Sequence, residues 1–107
     1  MLTYTLFTQN HSIHAISIAR ELKKQTIEDH IVDAIKHNME VDLEKIGLNK
    51  NIYKQIKKTI NSEVINNNTS QLKPIKDLLP KTISYFHIKL SIVILEYNLE
   101  KDIFNSI

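Results

Sequence analysis

The sequence has no cysteine, one glycine and two prolines in 107 residues. Without cysteine, the chain has neither a disulfide framework nor thiol chemistry. All-β sandwiches and barrels need many tight turns, which are rich in glycine, asparagine and proline. Asparagine is plentiful, but it clusters at Asn66, Asn67 and Asn68 instead of recurring at hairpin spacing. This composition disfavours an all-β fold.

Two further absences bear on location and partners. The longest uninterrupted aliphatic run is Ile92 to Leu95, whereas a membrane-spanning helix needs about 20 apolar residues. The first residues, Met1 to Tyr4, lack the basic start and apolar block of a signal peptide. A formal net charge of +2 is too small to identify a partner by itself. The sequence therefore predicts a cytoplasmic protein without a membrane segment.

Length and composition are those of one folded domain. A chain of 107 residues buries roughly two-thirds of its unfolded surface, and 42% hydrophobic with 24% charged residues is ordinary for a globular protein. We therefore expect a single helical domain over residues 1–107. The predicted fold class is all-α, a compact bundle of four to five helices. A short N-terminal strand is an option, because Leu2, Tyr4 and Leu6 alternate with threonines and Phe7 follows.

The first part of the chain predicts two amphipathic helices. Asn10 or Ser12 is placed to cap a helix that runs to about Gln25. Thr26, with Asp29 three residues later, fits a capping arrangement for the second helix. The expected inner face is Ala15, Ile18, Ala19 and Leu22 for the first helix, and Ile27, Ile31, Ala34 and Ile35 for the second.

Another helix is predicted from Lys50 to about Ile65, with Asn49 as its N-cap. Gly47 is expected to end a short helical segment before it. Residues 66–70 predict a loop, and Pro74 suits the first turn of a short helix that ends before Pro80. The predicted apolar side of helix 50–65 consists of Ile52, Tyr53, Ile56, Ile60 and Val64, with Lys50, Lys54, Lys57 and Lys58 on the other side.

Residues 81–105 predict one long helix that is apolar on two sides, the first of which includes Phe86, Leu90 and Ile94. Such a helix is either enclosed by its neighbours or packs one side on its own core and offers the other to a partner. The second side is therefore the candidate protein-binding or homodimer surface. It consists of Tyr85, Ile88, Ile92, Leu95 and Leu99.

The same residues allow a second interpretation. Apolar residues alternate with others from Phe86 to Ile94, as they do in a half-buried strand. The alternative is an α+β fold in which residues 2–7 and 86–95 are strands. The helix is favoured because nothing after Lys81 predicts a turn, and because the helical stripe continues to Phe104.

Catalytic and metal-binding patterns are weak. His30, Asp33 and His37 share one predicted helical face, and His11 and His14 are three residues apart. Imidazole and carboxylate groups at such spacing can ligate zinc, but each set lacks a third or fourth ligand. No glycine elbow exposes a serine nucleophile. We therefore expect no metal, no cofactor and no enzymatic activity.

Residues 42–51 predict a short helix, a glycine turn and the start of a second helix, an arrangement typical of helix-turn-helix DNA-binding motifs. Lysines would neutralise phosphates, while asparagine and glutamine would contact base edges. Asp42 and Leu43 depart from the pattern, because an apolar and a small residue are usual there. The candidate nucleic-acid-binding residues are Lys50, Asn51, Lys54, Gln55, Lys57 and Lys58.

Binding of another macromolecule is the predicted function. A small helical chain without catalytic residues suits an immunity or antitoxin protein that neutralises a toxin by direct binding. The mild positive charge counts against this interpretation if the toxin is a basic nuclease. The alternative is a helix-turn-helix DNA-binding protein that uses the basic helix 50–65.

Overall fold

The computed structural model describes residues 2–9 and 11–104, and within these ranges it contains helices and no strand. The all-α prediction is confirmed. No helix in the described part of the chain has the length and apolar character needed to cross a membrane. The helices are α1 (Leu2–Thr8), α2 (Ile13–Arg20), α3 (Lys24–Lys36), a 3-10 helix (Glu44–Ile46), α4 (Lys50–Ile60), α5 (Lys73–Asp77), α6 (Tyr85–Glu96) and α7 (Glu100–Phe104).

The helices belong to two compact units, residues 1–41 and residues 42–107. In the first unit, α1, α2 and α3 pack against one another in pairs. The predicted stripe of α3 is confirmed, since all four of its members are buried. The buried side chains of this unit are Phe7, Ile16, Ile27, Ile31, Val32, Ala34 and Ile35.

Helix α2 begins as predicted but ends five residues earlier. The Ser12 hydroxyl accepts a hydrogen bond from the Ala15 N–H at 3.0 Å, which caps the first turn. After Arg20 the backbone of Glu21 is left-handed, with φ of 53°. The N–H groups of Glu21 and Leu22 donate to the carbonyls of Ile18 and Ser17. This hydrogen-bond pair is a Schellman motif, and it stops the helix.

This early end overturns the predicted inner face of α2. Ile16 is fully buried, whereas Ile18 is 65% exposed and Ala19 is also exposed. The predicted cap at Thr26 is wrong as well. Thr26 lies inside α3, which begins after Lys23, a residue whose side chain makes no capping hydrogen bond.

In the second unit, α4, α5 and α6 pack against one another in pairs. Helix α6 is buried on most of its circumference, and its one buried polar side chain, Ser91, donates its hydroxyl proton to the His87 carbonyl at 2.8 Å. Odd-numbered and even-numbered positions of α6 are both buried, so the apolar residues at every second position pack inside a helix and do not form the face of a strand. The α+β alternative is therefore wrong for residues 86–95. It is equally wrong for residues 2–7, which are helical.

The predicted single helix over residues 81–105 is also wrong. The chain turns after Pro80, and Ser84 caps α6 by accepting a hydrogen bond from the His87 N–H at 3.2 Å. At the far end, Asn98 is left-handed with φ of 55°. The Leu99 N–H donates to the Ile94 carbonyl at 2.9 Å, which closes α6 before α7 begins.

Helix α4 is capped by Asn49, as predicted, and the 3-10 helix before it ends at Gly47 with φ of 79°. Tyr53, Ile56 and Ile60 are buried. The helix stops at Ile60 instead of Ile65, and Val64 is 77% exposed instead of buried. Asn66 and Asn67 take left-handed conformations in the turn that follows, consistent with the predicted loop.

Replacement of Glu21 by glycine is expected to stabilise the protein. A left-handed conformation costs a residue with a Cβ about 1–2 kcal/mol, part of which the greater freedom of glycine in the unfolded chain offsets. We expect Glu21→Gly to raise the free energy of unfolding by about 0.5–1 kcal/mol in chemical denaturation. Glu21→Ala, which removes the carboxylate but keeps the Cβ, should give no such gain. Equal stabilisation by both variants would assign the effect to charge.

Candidate nucleic-acid interface

Helices α2 and α3 form a helix-turn-helix. They pack against each other and are joined by the three residues Glu21, Leu22 and Lys23. A connection of three to four residues, often containing glycine, joins the two helices of this motif. Glu21 has the left-handed backbone conformation that glycine adopts most easily, so it stands where such a turn often has a glycine. The second helix of such a motif is the one that enters the major groove of DNA.

The N-terminal end of α3 is polar and accessible. Lys23, Lys24 and Gln25 are exposed, and no hydrogen bond or ion pair to these side chains is found in the described ranges 2–9 and 11–104. One turn further along, Asp29 is exposed and Glu28 is half-buried. This end therefore presents two ammonium groups and a carboxamide to solvent.

A contact between the two helices lies behind this end. The Arg20 guanidinium Nη1 and the His30 Nδ1 are 3.4 Å apart, and both side chains are partly buried. Because arginine only donates, the guanidinium N–H is the donor in this contact. The contact joins the last turn of α2 to the middle of α3 and so helps to fix the angle between the helices.

The helix-turn-helix predicted at residues 42–51 is only partly present. Its second helix, α4, is found, but its first helix is a single 3-10 turn, Glu44–Ile46. Leu43 and Leu48 are buried on either side of that turn. The His87 Nε2, on α6, lies 2.8 Å from the Ile46 carbonyl oxygen, so the imidazole donates a hydrogen bond that holds the turn. The segment therefore positions α4 without forming a two-helix motif.

The exposed face of α4 has the predicted polar character. Its side chains recur at spacings of three and four residues, which places them in one row along a helix. We call this row the basic stripe: Asn51, Lys54, Gln55 and Lys58. Lys50 and Lys57, the other two predicted nucleic-acid-binding lysines, lie beside the row and are half-buried.

Lys57 is held by α7. Its Nζ is 2.7 Å from Glu100 Oε1, which also accepts a hydrogen bond from the buried Tyr53 hydroxyl at 2.6 Å. The Tyr53 ring stacks on Phe104, with ring centroids 4.9 Å apart. The hydrogen bonds from Lys57 and Tyr53 hold the pKa of the Glu100 carboxyl below its usual range. Burial, reinforced by the Glu100 carboxylate, raises the pKa of the Tyr53 hydroxyl. Lys57 is thus neutralised locally.

The predicted protein-binding surface on residues 85–99 does not exist as an open face. Ile88 and Leu99 are buried inside the second unit, and Ile92 and Leu95 are half-buried. Only Tyr85 is exposed among the five residues, at 44%, and the Lys76 Nζ lies 5.9 Å from the centre of its ring. Of the two predicted alternatives, a helix enclosed by its neighbours and a helix that offers one side to a partner, α6 fits the first.

The histidine patterns bring together no metal site in the described ranges 2–9 and 11–104. His37 Nδ1 lies 2.9 Å from the Asp33 carbonyl oxygen and 3.8 Å from the Asp33 carboxylate, so this pair makes local helix-end contacts. The exposed polar residues at the start of α3 that the sequence prediction did not single out are Lys23, Lys24 and Gln25. The predicted helix to Gln25 ran through the turn that exposes them.

The Glu100 cluster predicts a pH-dependent contribution to stability. A carboxyl whose folded-state pKa is lowered stabilises the protein above its unfolded-state pKa, and the effect is lost as the pH falls through the folded-state value. We expect Glu100→Gln to lower the free energy of unfolding by about 1–3 kcal/mol at pH 7, since charged hydrogen bonds are lost. This difference from the original protein should shrink as the pH falls below 4.5, the ordinary glutamate value.

Denaturant titrations between pH 3 and pH 7 would measure this difference. Glu63→Gln, a substitution of an exposed carboxylate in the same unit, is the matched control and should change stability little. A Glu100→Gln effect of constant size over the whole pH range would contradict the assignment.

Comparison with known proteins shows similarity to one protein family and to an enzyme. Residues 1–92 match the helix-turn-helix domain family. The chain is also 30% identical over 96 residues to the bifunctional 3'-5' exonuclease/ATP-dependent helicase WRN of Mus musculus. This match covers 89% of the chain but 7% of the length of that enzyme. No solved structure matches significantly.

The immunity or antitoxin prediction is therefore wrong, because one match is to the helix-turn-helix domain family, the other is to an exonuclease/helicase, and neither is to a toxin inhibitor. The family match spans α1 to α5 and most of α6, so it includes the α2–turn–α3 segment as well as α4. By the extent of this match, the chain belongs to the helix-turn-helix domain family.

Proposed function

We propose that this protein binds duplex DNA through the helix-turn-helix formed by α2 and α3. The observation that carries the proposal is the three-residue turn at Glu21–Lys23, which joins two mutually packed helices in a chain of the helix-turn-helix domain family. In motifs of this kind the second helix lies in the major groove and its N-terminal residues contact base edges, while the first helix crosses the backbone.

The side chains at the start of α3 have the chemistry for this position. A glutamine amide can make two hydrogen bonds to the N6 and N7 atoms of adenine, and a lysine can donate to the O6 and N7 atoms of guanine or to phosphates. Gln25 and Lys24 are both exposed at this end of α3. One turn later, the exposed Asp29 carboxylate can accept from the N4 amino group of cytosine.

The charge of the first unit favours sequence reading over nonspecific attraction. Residues 1–41 contain four basic and five acidic residues. Nonspecific DNA binding depends on neutralisation of phosphates by lysine and arginine. A unit with a slight acidic excess gains little binding energy from phosphate neutralisation. Base contacts by α3 therefore supply most of the binding energy that this unit contributes. The proposed role is binding without a reaction of its own. The activities named for the murine relative belong to an enzyme of which this chain matches 7%.

Two lysines of α3 allow a matched test of the proposed orientation. Lys24 lies in the first turn of α3 and Lys36 in the last, and both are exposed. We expect Lys24→Glu to weaken duplex binding about tenfold or more in fluorescence anisotropy, because it places a carboxylate against the groove edge. Lys36→Glu changes the chain's charge equally but lies at the distant end, so it should weaken binding much less.

The helix dipole makes this comparison stringent. A carboxylate at the N-terminus of a helix is favourable and one at the C-terminus is unfavourable, so Lys24→Glu should be at least as stable as Lys36→Glu. If Lys36→Glu still binds, a loss of binding by Lys24→Glu therefore does not come from unfolding. Equal effects of the two substitutions would exclude α3 as the groove-binding helix, and absence of duplex binding by the original protein at low salt would exclude the function.

A second measurement tests base reading directly. Selection of bound duplexes from a randomised pool should yield a preferred sequence for the original protein. We expect Gln25→Ala to relax the preference at one position, where a two-hydrogen-bond contact is worth about 1–3 kcal/mol of discrimination. An unchanged preferred sequence would show that Gln25 does not contact a base.

A further inference from the structure

The basic stripe of α4 is a positively charged surface outside the α2–α3 motif. Helix α4 has the sequence KNIYKQIKKTI and contains no acidic residue. Its apolar side is packed in the second unit through Tyr53, Ile56 and Ile60. The helix therefore presents only amide and ammonium groups to solvent along the row from Asn51 to Lys58.

The lysines of α4 differ in availability. Lys57 is paired with Glu100 at 2.7 Å. Lys54 and Lys58 are exposed, and no hydrogen bond or ion pair to either side chain is found in the described ranges 2–9 and 11–104. The two positions are four residues apart, which is a rise of about 6 Å along the helix. Two uncompensated ammonium groups therefore project from one face at neighbouring positions.

The charge of the whole unit agrees with this local pattern. Residues 42–107 contain ten basic and seven acidic residues, whereas residues 1–41 contain four and five. The excess positive charge of the chain thus lies in residues 42–107, which include α4, and not in residues 1–41, which include the helix-turn-helix motif.

We infer that the basic stripe is a second DNA-binding surface, which contacts the phosphates of duplex DNA through Lys54 and Lys58. The inference rests on the proposed function. It assigns two kinds of contact to two units: α3 reads bases, and α4 supplies the salt-dependent attraction to the backbone. Phosphates of one strand follow each other every 3.4 Å along the duplex axis, so two flexible lysine side chains about 6 Å apart on a helix can reach phosphates one or two steps apart.

Duplex DNA fits the stripe better than a lipid surface does. Helices that lie on membranes insert an exposed apolar side below the headgroups. The apolar side of α4 is buried in its own unit, and the four side chains of the stripe are polar. Asn51 and Gln55, which alternate with the lysines, add neutral donors and acceptors for phosphate oxygens and sugars.

The slope of the logarithm of the binding constant against the logarithm of salt concentration tests this inference. Each neutralised phosphate of B-DNA contributes about −0.9 to that slope. We expect Lys54→Ala combined with Lys58→Ala to make the slope less negative by about 1.8, and to weaken binding at 0.1 M salt by roughly 60-fold, which is the same slope change converted to affinity for proteins that bind equally at 1 M salt. The preferred sequence obtained by selection should remain unchanged.

Two control pairs separate the location of charge from its amount. Lys54→Arg with Lys58→Arg keeps both charges and should keep the slope. Lys81→Ala with Lys101→Ala removes two exposed lysines of the same unit outside α4 and should change the slope much less. Circular dichroism would confirm that every variant is folded.

The outcomes distinguish this inference from the function on which it rests. Duplex binding by the original protein with an unchanged slope in the Lys54/Lys58 alanine variant would overturn the inference and leave the α2–α3 proposal intact. A slope change that appears only with single-stranded DNA or RNA would overturn it too. No duplex binding by the original protein would remove the proposed function itself.

Discussion

The left-handed backbone at Glu21 determines where α2 ends and where the turn to α3 begins. If Glu21 kept helical dihedral angles, α2 would run on toward α3 and the two helices could not pack against each other. The hydrogen bonds from the Glu21 and Leu22 N–H groups back to Ile18 and Ser17 satisfy the last carbonyls of α2. Lys23 then takes an extended conformation before α3 starts, which leaves Lys24 and Gln25 at an exposed helix start.

The same device recurs along a chain that has a single glycine. Asn38, Asn98 and Glu21 are all left-handed at helix ends, and Asn66 and Asn67 are left-handed in the turn after α4. Asparagine adopts this conformation more readily than most residues because its short amide can hydrogen-bond locally. Glutamate has no such advantage, so Glu21 is the strained member of the group. Retained strain of this kind is found preferentially at functional positions, in agreement with its place in the motif turn.

These helix ends explain how much of the fold and the site could be predicted from the sequence. The N-caps Ser12 and Asn49 and the buried stripe of α3 follow from local residue types, and all were predicted. The break at Glu21 was not, because Ile16 and Ile27 are eleven residues apart and lie only about 20° apart on an uninterrupted helix. Periodicity therefore continues through the turn. Asn98 hid the end of α6 in the same way, since its type alone does not specify a left-handed conformation.

DNA binding stood only as the alternative prediction because charge was averaged over the whole chain. A net charge of +2 hides a first unit with one acidic residue in excess and a second with three basic residues in excess. It also hides the distinction between Lys57, which Glu100 neutralises, and Lys54 and Lys58, for which no partner is found in the described ranges 2–9 and 11–104. That distinction depends on Tyr53 and Phe104 bringing α7 to α4, a long-range packing result.

The distribution of charge along α3 also limits how that helix can approach DNA. Lys24 and Gln25 occupy its first turn, whereas Asp29 and Asp33 are exposed further along. Carboxylates repel phosphates but can accept from cytosine amino groups, so in the proposed complex α3 would not lie flat along the backbone but would enter the groove by its N-terminal end. A helix of this composition gives selectivity and little general attraction. An uncompensated basic helix elsewhere in the chain would supply the attraction without imposing a sequence, because phosphate contacts are the same at every base pair.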